Sequence, residues 1–293
     1  MNNFTSLING KFTETISVLD RGLAYGDGLF ETMSWKYLKQ NKKIGVEFWK
    51  RHKNRLKIGC EKLKINFPSE KKLEAYKKKI LLASFKKGLR EGTLKILISR
   101  GVGGRGYKFE KNIKPTIIFL TFPQTSSNGM LIEKGVKARF CRFNINSNNH
   151  LASLKHLNRL DSVMARSEWR SKEFFEGILL DKNENIIEGT MTNIFFSRKN
   201  ILYTPQIRES GINGIMRQVI TEKAKLFFDK IICKDIKKKD LGLFEEMFLT
   251  NSIIKVLPVK SLSTKKFTIT NSTKKLINHF SDEDNERKNL ELL

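Results

Sequence analysis

Two runs, Thr93 to Ser99 (TLKILIS) and Thr116 to Phe122 (TIIFLTF), limit the fold most strongly. Each has the length of a strand and is rich in β-branched and aromatic residues. Turn-forming Gly and Pro stand on their flanks, so both are expected to be buried strands. The longest apolar stretch of the chain, Ile117 to Phe122, is broken by Thr121 and falls far short of the roughly 20 residues a membrane-spanning helix needs. Helical patterns precede and follow these runs. Residues 47–61 carry Phe48, His52, Leu56 and Cys60 at helical spacing. Residues 69–88 open on Ser69, a natural N-cap, and then put Leu73, Tyr76, Ile80 and Leu81 on one face. Strands interleaved with helices predict an α/β or α+β chain.

The remaining pattern extends that reading. Phe4 to Ile8 is strand-like and ends on an Asn9-Gly10 turn suited to a hairpin. Glycines 22, 26 and 28 mark a tight loop that feeds a strand from Leu29 to Trp35. The polar stretch 123–129 (PQTSSNG) reads as a linker. After it come a strand at 136–140, a helix over about 156–170 and a strand at 177–180 with a turn at 183–185. A strand at 193–196, a helix over about 214–229 and short strands at 246–249 and 256–259 follow. The polar tail 281–293 is read as the end of a helix. A chain of 293 residues suits two modest domains: a smaller N-terminal α/β domain, 1–122, and a larger C-terminal domain, 130–293.

Composition excludes several classes. With 39 % apolar residues and 21 Phe, the chain has material for a core and is not a disordered protein. Cys60, Cys141 and Cys233 lie far apart without a CxxC pair, which argues against a disulfide framework or a zinc knot and for a reducing compartment. The N-terminus lacks a basic start, apolar core and small-residue cleavage site, so a cytoplasmic protein is expected. The net charge of +26 invites a nucleic-acid role. Its make-up speaks against one: 41 Lys against 15 Arg, dispersed along the chain in short solvated runs such as Lys77-Lys78-Lys79. The field it creates favours approach of an anionic small molecule.

Four segments hold residues suited to chemistry. The loop GVGGRGY (101–107) lacks the P-loop Gly-Lys-Ser/Thr. It does hold Arg105 and Tyr107, and a guanidinium at a strand end can grip a carboxylate through two parallel hydrogen bonds; an ordinary hairpin tip is the bland alternative. In SLKHLNRLDSV (153–163), Lys155 stands among leucines at the predicted start of a helix. Desolvation there favours the neutral amine a Schiff-base lysine needs, although most such lysines merely extend to water. In IIEGTMTNIFF (186–196), Glu188 and Asn193 punctuate an apolar strand pair. A buried acid needs a partner, either a cationic ring nitrogen or a structural salt bridge. In GINGIMRQVI (211–220), the free N–H groups of Ile215 and Met216 begin a helix and can receive a phosphate, as any helix start can.

Taken in order, DRGLAYGDGLFE, RHKNRL, KHLNRLDSV, EGTMTNIFF, GINGIMRQ and LTNSIIKVLPV resemble the fold-type IV pyridoxal-phosphate enzymes. These comprise branched-chain and D-amino-acid aminotransferases and 4-amino-4-deoxychorismate lyase. The resemblance spans nearly the whole chain. SRGVGGRGY, KHLNRL and YTPQIRESGINGIMRQ look most like the lyase branch. It implies a two-domain fold with a barrel-like sheet in the larger domain, a cleft between the domains, pyridoxal 5′-phosphate as cofactor and a homodimer. Lys155 matches the lysine that bonds the cofactor covalently, and Glu188 the acid facing the pyridine nitrogen. Arg55 matches the phosphate arginine, joined by the Ile215 and Met216 N–H groups and the Ser252 hydroxyl. Asn193 matches a partner of the ring's surroundings and Ile212 an apolar prop under one ring face. Arg105, Tyr107 and Asn251 match positions that meet the substrate, with Thr32 also expected at the site. The implied substrate is 4-amino-4-deoxychorismate, a small dianion; no nucleic acid or membrane is implied. Glu31 is shared with several aminotransferases, so its block does not separate the two activities. A D-amino-acid or branched-chain aminotransferase is the alternative.

Overall fold

The computed structural model describes residues 4–124, 129–282 and 287–293. The expected linker 123–129 therefore lies largely outside the described residues, at 125–128. Chain contacts gather into two compact units, the first Met1–Ser126, Lys155–Asn158 and Arg287–Leu293, the second Ser127–Leu154 and Arg159–Glu286.

The first unit is built on an antiparallel sheet of β1 (Thr5–Ile8), β2 (Gly28–Leu38), β3 (Lys43–Glu47), β4 (Glu91–Ser99) and β5 (Thr116–Pro123). Their order is β1-β5-β4-β2-β3, closed at the far edge by a short strand, Leu290–Leu292. Helix α1 (Arg21–Tyr25) is one turn, capped by the Asp20 carboxylate on the Gly22 N–H. Helix α2 (Trp49–Lys62) packs against β2, and α3 (Glu70–Lys86) against β5 and β1. Ser69 accepts from the Lys72 N–H as the predicted N-cap. Burial alternates along β4: Leu94, Ile96 and Ile98 are fully covered, while Thr93, Lys95 and Leu97 are half-buried. The covered side meets the helices, and the other side carries Phe30 and Thr32 of β2 beside Lys95. The predicted Asn9-Gly10 turn forms, with Ile8 and Lys11 exchanging N–H···O bonds of 2.8 and 2.9 Å. The chain then leaves without building a second long strand, because β1 pairs with β5 instead.

The second unit has β6 (Val136–Phe140), β7 (Phe174–Leu180), β8 (Ile186–Gly189), β9 (Asn193–Arg198), β10 (Ile201–Pro205), β11 (Lys230–Lys234), β12 (Glu246–Asn251), β13 (Lys255–Leu262) and β14 (Lys265–Lys266). The sheet runs β11-β10-β9-β12-β13-β6-β7-β8, with β14 on β13. Its last strand, β8, also packs against β9 and β10, so the sheet curls into a half-barrel. Apolar side chains including Ile178, Ile194, Phe196, Leu249 and Leu257 form one buried cluster. Helices α4 (Gly129–Lys134) and α7 (Asn271–Ser281) lie on β13, α5 (Leu160–Ser167) on β7 and α6 (Ile215–Lys223) on β12.

Three expectations are corrected. The helix expected over 156–170 is only Leu160–Ser167, because the backbone of 155–157 is engaged in strand-like bonds to β2. The helix expected to 229 ends at Lys223, followed by a 3₁₀ turn at Ala224–Leu226. The tail read as a helix end contributes an edge strand to the first unit, where Leu290 is buried against Gly45. No helix among the described residues is long and apolar enough to cross a membrane.

Leu94 lies at the centre of the first sheet with no exposure. Leu94→Ala is expected to destabilise the protein by about 2–5 kcal/mol through lost transfer energy and an unfilled cavity. Urea titration followed by far-UV circular dichroism measures the shift.

Candidate functional site

In the first unit, Lys155 occupies an extended segment between isolated bridges at Ser153 and His156. Its carbonyl accepts from the Phe30 N–H at 2.9 Å, and the Leu157 N–H donates to the Gly28 carbonyl at 2.9 Å. The Asn158 amide adds a bond to the Gly26 carbonyl at 3.2 Å. Bound by its main chain, the lysine lays its Nζ 4.2 Å from the centre of the Phe30 ring. Lys95, on the same sheet face, approaches that ring to 5.3 Å, and burial draws its pKa below the usual lysine range.

Arg55 lies on α2, one turn beyond His52. Its Nε and Nη2 donate to Glu31 Oε1 and Oε2, both at 2.7 Å. His52 Nδ1 lies 2.6 Å from Glu31 Oε2. Glu31 is 1 % exposed and His52 fully buried. Burial opposes ionisation of Glu31, but the Arg55 guanidinium and the His52 ring outweigh it and hold the carboxyl at about 2. Burial lowers the His52 pKa more than the Glu31 charge raises it. The neutral ring therefore donates Nδ1–H to a carboxylate already balanced by Arg55. The structure thus couples Arg55, a sequence candidate, to Glu31, whose role the sequence left open. Thr32, half-buried, pairs with Lys95 across the strands. Arg105 and Tyr107 are exposed on the β4–β5 loop, and the Tyr107 ring lies 5.7 Å from that of Tyr25.

The second unit gathers the other candidates at one end of its sheet. Glu188, on β8, is 4 % exposed. Its Oε2 accepts from the Ile212 N–H at 2.8 Å and from the Asn193 amide at 3.4 Å. Asn193 Nδ2 also donates to the Ile212 carbonyl at 2.8 Å, so the peptide groups flanking Ile212 are clipped on both sides. Helix α6 begins immediately after Gly214 with no side-chain cap, leaving the Ile215 and Met216 N–H groups facing outward from the helix start. A Cβ at position 214 would lie 2.1 Å from Asn193 Oδ1, so glycine is required for Asn193 to reach this turn. Register Thr250↔Asn193 brings the Asn251–Ser252 turn beside the same strand end. Asn251 Oδ1 accepts from the Ile253 and Ile254 N–H groups at 2.9 Å, and its Nδ2 donates to the Met191 carbonyl at 3.2 Å. Its amide thus shapes the turn that presents Ser252.

Sequence reasoning overlooked several contributors. Arg159 sits within electrostatic range of Glu188, and burial lowers its pKa against that attraction; its only signal was its place in KHLNRL. Glu176, fully buried, accepts from the Thr190 hydroxyl at 2.6 Å and the Thr192 hydroxyl at 2.9 Å, and from the Thr190 and Met191 N–H groups. It thereby fixes the loop between Glu188 and Asn193. Burial raises its pKa, opposed by those hydrogen bonds. Burial also pushes the Cys60 and Cys141 thiols up to about 12, which removes both as nucleophiles. Among the described residues no cluster of His, Cys, Asp or Glu is suited to a metal ion.

The Glu31 group sets an acid response. A carboxyl held at about 2 rather than 4.5 contributes about 3 kcal/mol, fully present above pH 4.5 and lost as pH falls to 2. His52, depressed below 6.5, takes up a proton more readily when unfolded, so it also weakens the fold as pH drops below 6.5. Glu31→Gln is expected to cost about 3–5 kcal/mol at pH 7, by removing the charged member of a buried pair with Arg55. It should also flatten the loss between pH 4.5 and 2; urea midpoints across pH 2–8 report both.

Comparison with known proteins identifies the family. The sequence pattern of the family described as amino-transferase class IV matches residues 28–262. The chain is 29 % identical over 256 residues to an aminodeoxychorismate lyase of Vibrio harveyi, covering 87 % of this chain and 90 % of that one. It is 30 % identical over 286 residues to a putative branched-chain-amino-acid aminotransferase of Methanocaldococcus jannaschii, covering 94 % of each. The crystal structure of 4-amino-4-deoxychorismate lyase from Pseudomonas aeruginosa superposes with a TM-score of 0.85 at 31 % identity, covering 96 % of this chain and 99 % of that one. With most of its length matched by the family pattern, the chain belongs to the class IV amino-transferases, whose cofactor is pyridoxal 5′-phosphate.

Proposed function

We propose that this protein is a lyase that converts 4-amino-4-deoxychorismate to 4-aminobenzoate and pyruvate. The observation that carries the reading is the loop SRGVGGRGY, with the Arg105 guanidinium and the Tyr107 phenol both exposed. A cation and a phenolic donor suit a substrate with two carboxylates. Likeness to the two lyases supports it; likeness to the aminotransferase, and Glu31, keep an aminotransferase as the second reading.

The residues present fit the cofactor. A buried carboxylate at Glu188, held in place by the Ile212 N–H and the Asn193 amide, suits a protonated ring nitrogen. The uncapped start of α6, opened by Gly214, suits a phosphate. Lys155 would hold the cofactor through its side-chain nitrogen. Arg55, the Ile215 and Met216 N–H groups and the Ser252 hydroxyl would take the phosphate, while Ile212 would support one ring face and Asn193 would keep Glu188 in place. Pyridoxal 5′-phosphate, when bound, supplies an electron sink for the carbon bearing the substrate amine.

The chain's own groups then have separable tasks. The Lys155 amine takes the proton from C4 of the substrate ring and returns a proton to the departing enolpyruvyl fragment, which leaves as pyruvate. Glu188, ionised, retains the proton on the ring nitrogen throughout. Arg105, Tyr107 and Asn251 hold the substrate's carboxylates, and Thr32 borders the reacting carbon. Glu31 orients Arg55 through two 2.7 Å bonds. Aromatisation of the ring drives the elimination, so no acceptor acid is consumed.

Purified protein should release pyruvate from 4-amino-4-deoxychorismate with no 2-oxo acid present; a strict requirement for 2-oxoglutarate would establish the aminotransferase instead. Lys155→Ala should lower turnover by at least about 100-fold and abolish the visible absorbance of the loaded enzyme. Arg105→Ala should raise KM about tenfold or more, as expected for a lost charge-assisted bond, with absorbance retained.

A further inference from the structure

We infer that Arg21 is the positioning residue of the 101–107 loop: a buried guanidinium gathers the loop's carbonyls so that Arg105 is presented outward to an anionic substrate. The inference deepens the proposed function and rests on Arg105 meeting that substrate. Arg21 is 3 % exposed. Its Nη1 donates to the carbonyls of Gly104 at 3.2 Å and Gly106 at 2.9 Å, and its Nη2 to that of Tyr107 at 3.4 Å. Its Nε donates to Asp27 Oδ2 at 3.1 Å. Gly104 and Gly106 flank Arg105. With both flanking carbonyls turned inward, the side chain between them is left on the solvent side, and Arg105 is exposed.

Neighbouring contacts support the same conformation. The Arg21 N–H donates to the Gly101 carbonyl at 2.9 Å. The Gly106 N–H donates to the Tyr25 hydroxyl at 2.9 Å, and the Arg21 guanidinium lies 4.7 Å from the Tyr25 ring centre. A Cβ at Gly103 would come 2.7 Å from Arg21 Cδ, so the loop passes as close to the arginine as a backbone can. Asp27 also binds Arg100, through Nε at 2.7 Å and Nη2 at 2.9 Å. Arg100 in turn stacks 3.7 Å from the Phe109 ring and donates to the Leu63 and Lys64 carbonyls at the end of α2. A buried guanidinium has to satisfy its N–H groups, and here Asp27 and the loop carbonyls do so together. The segment is therefore ordered before substrate arrives, and binding does not have to supply that ordering.

Tyr25→Phe removes one hydroxyl acceptor and leaves the packing in place; Arg21→Lys keeps the charge and removes the fork. Steady-state kinetics on the cofactor-loaded enzyme should show KM raised about fivefold in Tyr25→Phe, the loss of one hydrogen bond. Arg21→Lys should raise it further. In Tyr25→Phe, kcat and the visible absorbance should be unchanged, and the same substitution made in Arg105→Ala should add nothing to KM. The inference is overturned if Tyr25→Phe leaves KM unaltered while Arg105→Ala raises it, or if the two effects multiply in the double variant. Loss of kcat or absorbance in Tyr25→Phe would make the contact general scaffolding and overturn it too. A flat KM in Arg105→Ala would remove the substrate role itself, a failure of the proposed function that this arm separates from failure of the clamp.

Discussion

Two main-chain hydrogen bonds, from Phe30 N–H to the Lys155 carbonyl and from Leu157 N–H to the Gly28 carbonyl, stitch a four-residue stretch from mid-sequence onto β2. Held by its backbone, Lys155 projects from a rigid strand margin, and its amine meets the Phe30 ring face. Much of the first unit's arrangement follows. The residue after Phe30 is Glu31, whose carboxylate turns to the opposite side of β2 by strand alternation and collects Arg55 and His52 from one face of α2.

Charge is handled in a similar manner in both units: several buried carboxyl groups are each tied to more than one donor. Asp27 joins two arginines, Glu31 an arginine and a histidine, and Glu176 two hydroxyls and several peptide N–H groups. Glu246 is bonded by Ser197 and by both the N–H and the hydroxyl of Thr270. An isolated pair at such depth would barely repay its desolvation. Networks that satisfy the carboxylate lone pairs do, and they fix geometry at the same time. The surplus of lysine is a different matter: most of it is solvated surface, and exposed pairs such as Lys137 with Glu173 contribute little to stability.

Much of the fold was legible because periodicity reports burial. The strands at 93–99 and 116–122, helices α2 and α3 and the Ser69 cap all follow from local pattern, as does the turn at Asn9-Gly10. Elements with weaker patterns escaped: β3, which is short, and α7, whose apolar positions Leu276, Ile277 and Phe280 are interspersed with polar residues. The helix expected from about residue 156 begins only at Leu160 for a definite reason. Leu154, Leu157 and Leu160 have helical spacing, but the peptide groups between them bond to β2, and a ladder across the chain overrides local propensity. Of the candidate residues, Glu188, Asn193 and Ile212 converge as a hydrogen-bonded group. Glu31 and Arg21 went unassigned because nothing in their own segments names the partner that gives them a task.

The amino-acid sequence by itself determined the family, through the order of its motif blocks, and supplied the candidate lysine, acid, arginine and glycine-opened helix start. Tertiary structure alone decided which buried charges neutralise one another, which strand the lysine's backbone joins, and that the chain's last residues return as an edge strand on the first sheet. The physical reason is range. Periodicity and capping act over a few residues, and a sequence displays them directly. The pairing of Arg21 with carbonyls more than 80 positions away depends on desolvation and geometry that exist only after the chain has closed on itself.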